Sequence, residues 1–183
     1  ERFKAREDTF SLGVCNGCQL LALLGWVPGV KEDTPEKLPR FVHNASRKFE
    51  SRWSSITILE SPSILLKGMA GSSLGVWIAH GAGRAYFPDD AHRQLVESQN
   101  LAPIRYADDS GSPTDQYPFC PNGAELGAAA LCSPCCRHLA MMPHPERCVL
   151  PWQWPYIPPD QPQFAERSPW RKLFENAAAF LED

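Results

Sequence analysis

Gly13-Val14-Cys15-Asn16-Gly17 is the segment of this 183-residue chain best suited to covalent chemistry. It has the form G-x-C-x-G. Residues 9–14 before it read as a short buried strand, and residues 16–24 after it read as a helix closed by Gly25. A cysteine at a sharp strand-to-helix turn is the sulfur form of a nucleophile elbow. Such a turn strains the backbone at the nucleophile. Side chains two positions away on either side would collide, so both flanks favour glycine. The turn lifts the sulfur above the sheet edge. The helix N-terminus behind it offers unpaired N–H groups and the positive end of a dipole, which favour thiolate over thiol and can receive an oxyanion. A structural thiol in a tight turn is the competing reading. It suits a lone buried cysteine better than one bracketed by two glycines. Cys18, one helical turn on, is expected in the core.

A thiol nucleophile needs a base that takes its proton and returns it to the leaving group. Among the five histidines, His144 has the most suitable setting, Met142-Pro143-His144-Pro145-Glu146, directly after an apolar strand. In an extended chain His144 and Glu146 project to the same side. The carboxylate can then accept from one imidazole nitrogen, fix the tautomer and leave the other nitrogen for the thiol. His80, in Ala79-His80-Gly81-Ala82-Gly83-Arg84, ends a strand and could either line a pocket or sit in a turn. The Gly-x-Gly beside it is too short for a dinucleotide fingerprint. His43 ends a short strand and has the same two readings. His92 is expected on a solvated helix face and His138 in the core of its strand.

These side chains need a scaffold. Residues 52–60, 75–80, 104–106, 128–132 and 138–142 read as strands, 91–99 as a helix, and 108–111 as a turn. Ser168 and Pro169 suit a helix start, and Trp170, Leu173, Phe174, Ala177, Ala178 and Leu181 follow a helical stripe. The class is α/β with a mixed central sheet flanked by helices. Eighteen prolines cut the chain into short elements. The stretch 143–169 reads as irregular surface chain on which Trp152, Trp154 and Tyr156 need something to pack against. With 43% hydrophobic and 21% charged residues the chain is globular, and a net charge of −3 gives it no basic excess for nucleic acid. No apolar run reaches the roughly 20 residues of a membrane span. Seven cysteines, an odd number without a secretion signal, indicate free thiols in a reducing compartment, the cytoplasm. The two C-x-x-C pairs, Cys15/Cys18 and Cys132/Cys135, could alternatively form a four-thiolate zinc site, but the elbow explains Cys15 better, and no metal ligand is expected.

The order Cys15, His144, Glu146 fits α/β-hydrolases poorly, because there the acid precedes the histidine. An elbow cysteine with H-x-E near the C-terminus resembles the class I glutamine amidotransferases. The likeness extends over nearly the whole chain. Residues 9–19, Pro39-Arg40-Phe41-Val42-His43-Asn44, Phe49-Glu50-Ser51-Arg52-Trp53, residues 77–84, residues 101–106, Pro121-Asn122-Gly123 and residues 138–147 are similar to the glutaminase domains of large single-chain phosphoribosylformylglycinamidine synthases.

That resemblance implies a fold and a role. Cys15 would be the nucleophile, His144 the acid/base and Glu146 its orienter. Gln19 would hold the substrate glutamine, the Asn16 backbone N–H would be one oxyanion donor, and His80 joins them as a substrate-side residue. Ammonia would pass to the synthetase region of the same enzyme, which also binds ATP and magnesium, so no cofactor is assigned to this chain. The family's domain begins upstream with a strand and a glycine-rich oxyanion loop. Residues 1–183, opening in a charged amphipathic stretch, are expected to lack both, to expose a sheet edge, and to be a poor glutaminase alone. Two departures stand out. Cys120 precedes Pro121 where the family usually has Asn, and Ser133-Pro134-Cys135-Cys136 replaces a glycine-containing hairpin turn, leaving no residue suited to positive φ. A self-sufficient γ-glutamyl hydrolase and a degenerate docking domain are the alternatives.

Overall fold

The computed structural model describes residues 2–182. In chain order its elements are α1 (Arg2–Ala5), β1 (Ser11–Val14), α2 (Asn16–Leu23), β2 (Arg40–Val42), β3 (Glu50–Ile58), β4 (Ser73–His80), β5 (Arg84–Tyr86), α3 (Asp90–Ser98), β6 (Ile104–Tyr106), β7 (Ala130–Cys132), β8 (His138–Met141) and α4 (Arg171–Phe180). Strand β4 follows a strict alternation, with Leu74, Val76, Ile78 and His80 buried and the residues between them less so. Period-two burial of this kind makes one face of the strand the core face.

Strands β1 and β8 run parallel, from Ser11 opposite His138 to Val14 opposite Met141. Strand β7 pairs antiparallel with β8, so this sheet is mixed, as expected, in the order β1-β8-β7. A second, antiparallel sheet has the order β4-β3-β6, and β2 with β5 forms a short ribbon. The two three-stranded sheets are stitched together. Ala129 N–H donates to Ile104 O at 2.9 Å, Cys132 N–H donates to Leu101 O at 2.9 Å, and bridges join Arg105 to Ala128 and Trp77 to His144. The core includes Ile56, Ile58, Leu65, Ile78, Leu101, Ile104, Leu131, Leu139, Met141 and Met142, all buried. Among the described residues β1 has a strand on one side only. Helix α2 buries Cys18, Leu21 and Ala22 but leaves Leu20, Leu23 and Leu24 about half exposed.

Several local expectations change. Ser168 does not cap α4, whose N-cap is Trp170. Its hydroxyl instead bonds the Cys148 carbonyl and accepts from Trp170 N–H at 3.3 Å. The apolar stripe is narrower than the sequence suggests. Trp170 and Leu173 are fully buried, while Phe174 and Leu181 stay exposed. Of Trp152, Trp154 and Tyr156, only Trp154 packs inward, between Trp53 and Phe164, while the other two face solvent. The β7–β8 turn does find its left-handed residue. Cys136 adopts φ 71°, with Cys136 N–H donating to Ser133 O at 3.0 Å and Ser133 N–H to His138 O at 2.9 Å. His92 is buried, not solvated, and lies between Asp89 Oδ1 at 2.8 Å and Glu32 Oε1 at 3.3 Å.

Candidate active site

Strand β1 ends in the elbow. Cys15 adopts φ 52° and ψ −104°, a strained conformation for a side-chain-bearing residue. Its N–H donates to Met141 O at 2.9 Å, extending the β1–β8 ladder by one step, and its carbonyl accepts the α2 bond from Gln19 N–H at 3.2 Å. The two flanking glycines are not equivalent. A Cβ on Gly13 would lie 2.6 Å from the Gly17 carbonyl oxygen and 2.7 Å from Leu21 Cδ1, whereas a Cβ on Gly17 would meet nothing within 4 Å. The collision argument therefore holds for Gly13 alone.

The edge strand β4 lies against both Cys15 and His144. Carbonyls two residues apart in a strand point the same way. The Trp77 carbonyl accepts His144 N–H at 2.8 Å, and the Ala79 carbonyl lies 3.8 Å from Cys15 Sγ. The β1–β8 pair and the β4 edge thus bring together a cysteine and a histidine 129 positions apart in sequence. His144 turns Nδ1 to Glu146 Oε1 at 2.6 Å, and its Nε2 is buried with no hydrogen-bond partner. A ring whose Nδ1–H donates to a carboxylate presents a bare lone pair on Nε2, the state a general base requires.

The charges around this pair are graded. Burial raises the Cys15 thiol above its ordinary range. The Asn16 backbone N–H and the Arg147 charge pull the other way without overcoming it, and Glu146 adds to the rise. Burial thus favours the thiol at the elbow, against the expectation that the helix N-terminus favours thiolate. Burial also pushes the Glu146 carboxyl up, but the hydrogen bond to His144 and the neighbouring Arg147, 3.5 Å away, outweigh it and hold Glu146 below the usual carboxylate range. Glu146 is an anion wherever His144 works as a base.

The residues expected on the substrate side divide. Asn16 sits exposed at the start of α2 with its backbone N–H toward the Cys15 sulfur. Gln19 donates Nε2–H to the Ala82 carbonyl at 2.7 Å, so its amide ties α2 to the loop after β4. His80 is buried at the end of β4, and burial together with the nearby His144 lowers it to about 4. His43 is exposed and stands outside this group, His138 is buried with Nδ1 3.2 Å from Ser11 Oγ, and Cys18 is buried with its thiol raised well above the ordinary value, also by burial. Sequence reasoning missed the roles of Asn44 and Asn122. Asn44 donates to the His80 carbonyl at 2.8 Å and accepts from Gly83 N–H at 3.0 Å, and Asn122 donates to the Gly83 carbonyl at 2.7 Å. An asparagine at a strand end and another in a Pro-Asn-Gly turn were the available signals, since a buried amide must bond its surroundings. Among the described residues no group of three or more His, Cys, Asp or Glu could hold a metal ion, so the two C-x-x-C pairs do not meet in a thiolate cluster.

Comparison with known proteins places this chain in a class. Residues 1–181 match the CobB/CobQ-like glutamine amidotransferase domain family, and the chain belongs to it. The chain is 58% identical, over its full length, to 13% of a probable phosphoribosylformylglycinamidine synthase, chloroplastic/mitochondrial, of Arabidopsis thaliana. It is 50% identical, over 96% of its length, to 14% of the phosphoribosylformylglycinamidine synthase of Homo sapiens. The chain thus spans about one seventh of the curated relatives it matches. Among solved structures, PurLQS from Thermotoga maritima aligns with 93% of this chain and 61% of its own at a TM-score of 0.62 and 22% identity, a likeness of fold.

Proposed function

We propose that this chain is the glutaminase part of a phosphoribosylformylglycinamidine synthase, hydrolysing glutamine through Cys15, His144 and Glu146 to supply ammonia for purine biosynthesis. The observation that carries the reading is the His144 ring, with Nδ1 on Glu146, a bare buried Nε2, and Cys15 on the same β4 edge. Cys15 Sγ gives its proton to His144 Nε2 and attacks the side-chain amide carbon of glutamine. The Asn16 N–H at the start of α2 receives the oxyanion. The tetrahedral intermediate collapses as His144 returns the proton to the departing nitrogen, and ammonia leaves. Water, deprotonated by His144, then opens the glutamyl thioester and releases glutamate.

The reading extends to parts outside this chain. The synthetase region of the same enzyme takes the ammonia and, with ATP and magnesium, converts formylglycinamide ribonucleotide to its amidine. The reading assigns the domain to the cytoplasm; the name of the Arabidopsis relative assigns that protein to organelles. The test is ammonia release from glutamine by the full-length protein. Cys15→Ser should release none, and Glu146→Gln should retain roughly 10⁻² to 10⁻⁴ of kcat, because the imidazole loses its tautomer lock. Undiminished release by Cys15→Ser, or preferential cleavage of γ-glutamyl peptides over glutamine, would contradict the proposal.

A further inference from the structure

Two imidazoles meet near the C-terminal end of β4, and their partners are opposite in character. His144 gives Nδ1 to a carboxylate, Glu146 Oε1 at 2.6 Å, which stabilises positive charge. His80 places Nε2 3.1 Å from Nδ2 of Asn122, a donor. The orientation of that amide is not free. Its Oδ1 accepts Ala124 N–H at 3.0 Å, and its Nδ2 donates to the Gly83 carbonyl at 2.7 Å. A flipped amide would set N–H against N–H and oxygen against oxygen. With an N–H aimed at it, His80 Nε2 must carry its lone pair, so the single ring proton lies on Nδ1. That Nδ1 is itself buried without a partner, so nothing at either nitrogen welcomes a second proton.

The seat of this ring is built from several elements. Asn44 holds the strand end and loop backbone through the His80 carbonyl and Gly83 N–H. A Cβ on Gly83 would fall 2.4 Å from His80 Nε2, so the ring can lie flat against the loop only because that residue is glycine. The titratable neighbours around the network are neutral or paired. The Tyr106 hydroxyl is 3.3 Å from Asn122 Nδ2 and the Cys120 thiol 3.6 Å from its Oδ1, and burial raises both groups. Glu50, opposite His80 on β3, lies 4.0 Å from Arg52. His144 is the charge that His80 feels directly.

We propose that Asn122 is a positioning residue for the glutaminase reaction: it holds His80 as a neutral imidazole, so that His144 alone gains charge when Cys15 gives up its proton. The proposal rests on the triad reading above. A cation at His80 would oppose the imidazolium that forms on His144 in the acylation step and re-forms in hydrolysis of the thioester.

The test measures the rate at which a chloroketone analogue of glutamine alkylates Cys15 in the full-length protein, as a function of pH. In Asn122→Asp the donor becomes a carboxylate, which invites a second proton onto His80, and the profile should gain a second ionisation below about pH 7 that the wild type lacks, changing the rate at least about twofold across it. In Asn122→Asp combined with His80→Leu that second ionisation should disappear, which mere loosening of the loop would not produce. Asn122→Ser, whose hydroxyl can accept as well as donate, should introduce the same ionisation and serves if Asn122→Asp does not fold. A folded variant that keeps the single ionisation of the wild type would overturn the proposal. No labelling of wild-type Cys15 would sink the triad reading and this proposal with it, whereas labelling with an unchanged single ionisation sinks the proposal alone.

Discussion

At the scale of single residues, the elbow depends on one glycine far more than on the other. Gly13→Ala drives a Cβ into the backbone carbonyl of Gly17, an obstacle that cannot rotate away, and should cost about 3 kcal/mol and most of the Cys15 reactivity. Gly17→Ala meets open space in the first turn of α2 and should leave stability unchanged or raise it by up to about 1 kcal/mol. Chemical denaturation of the two variants checks the pair, and equal losses would refute this account of the turn. The grouping of Cys15, His144 and Glu146 was legible from sequence because each of them carries a local signature: glycine brackets at Cys15, and an i, i+2 spacing at His144 and Glu146. The protonation of Cys15 was not legible. The helix start argues for a thiolate, but the burial that outweighs it comes from β4 and β8, which are remote in sequence. Asn44 and Asn122 escaped for the same reason, since their partners are backbone atoms 36 and 39 positions away.

At the scale of elements, period-two and period-3.6 patterns located β1, β3, β4, β6, β7, β8, α2, α3 and α4 to within a few residues. Strand β5, three residues after a glycine loop, is too short to have a period, and only its pairing with β2 makes it a strand. The β7–β8 hairpin shows a local conflict that tertiary pairing overrides. Its register is fixed by Leu131 opposite Ala140 and Cys132 opposite Leu139, all buried, and the turn must then put Cys136 in the left-handed region whatever its side chain. Cys136→Gly should therefore stabilise the domain by about 1 kcal/mol, read as a rise in the denaturation midpoint. A fall in the midpoint would mean that the Cys136 side chain contributes packing that outweighs its backbone strain.

At the scale of the whole molecule, the interior holds imidazoles as well as apolar side chains, and this links stability to pH. His80 is lowered to about 4 by burial and by His144, against an unfolded value near 6.5. Between those values the unfolded chain binds a proton that the folded chain refuses. Stability is therefore fully present above about pH 6.5 and is lost as pH falls toward 4, by up to roughly 3 kcal/mol from this group. His138, also lowered by burial with Arg137 and Lys4 adding to it, acts in the same direction. Denaturation midpoints measured from pH 7.5 to pH 4 should fall steadily, and His80→Leu should flatten the slope. A midpoint independent of pH over that range would contradict the burial of a neutral His80. Such coupling could not be read from the sequence, because Asn122 and His144, which face His80, lie on segments far from it in the chain.

The central claim is that Cys15 is an activated nucleophile in a formed glutamine site. It is tested most directly by intact-mass labelling with a glutamine-like electrophile and peptide mapping, on wild type and Cys15→Ser, with and without excess glutamine. The account predicts one adduct, on Cys15, blocked by glutamine and absent in Cys15→Ser. Labelling spread over the exposed Cys135 and half-exposed Cys136 with none on Cys15, in a protein folded by circular dichroism, would contradict it.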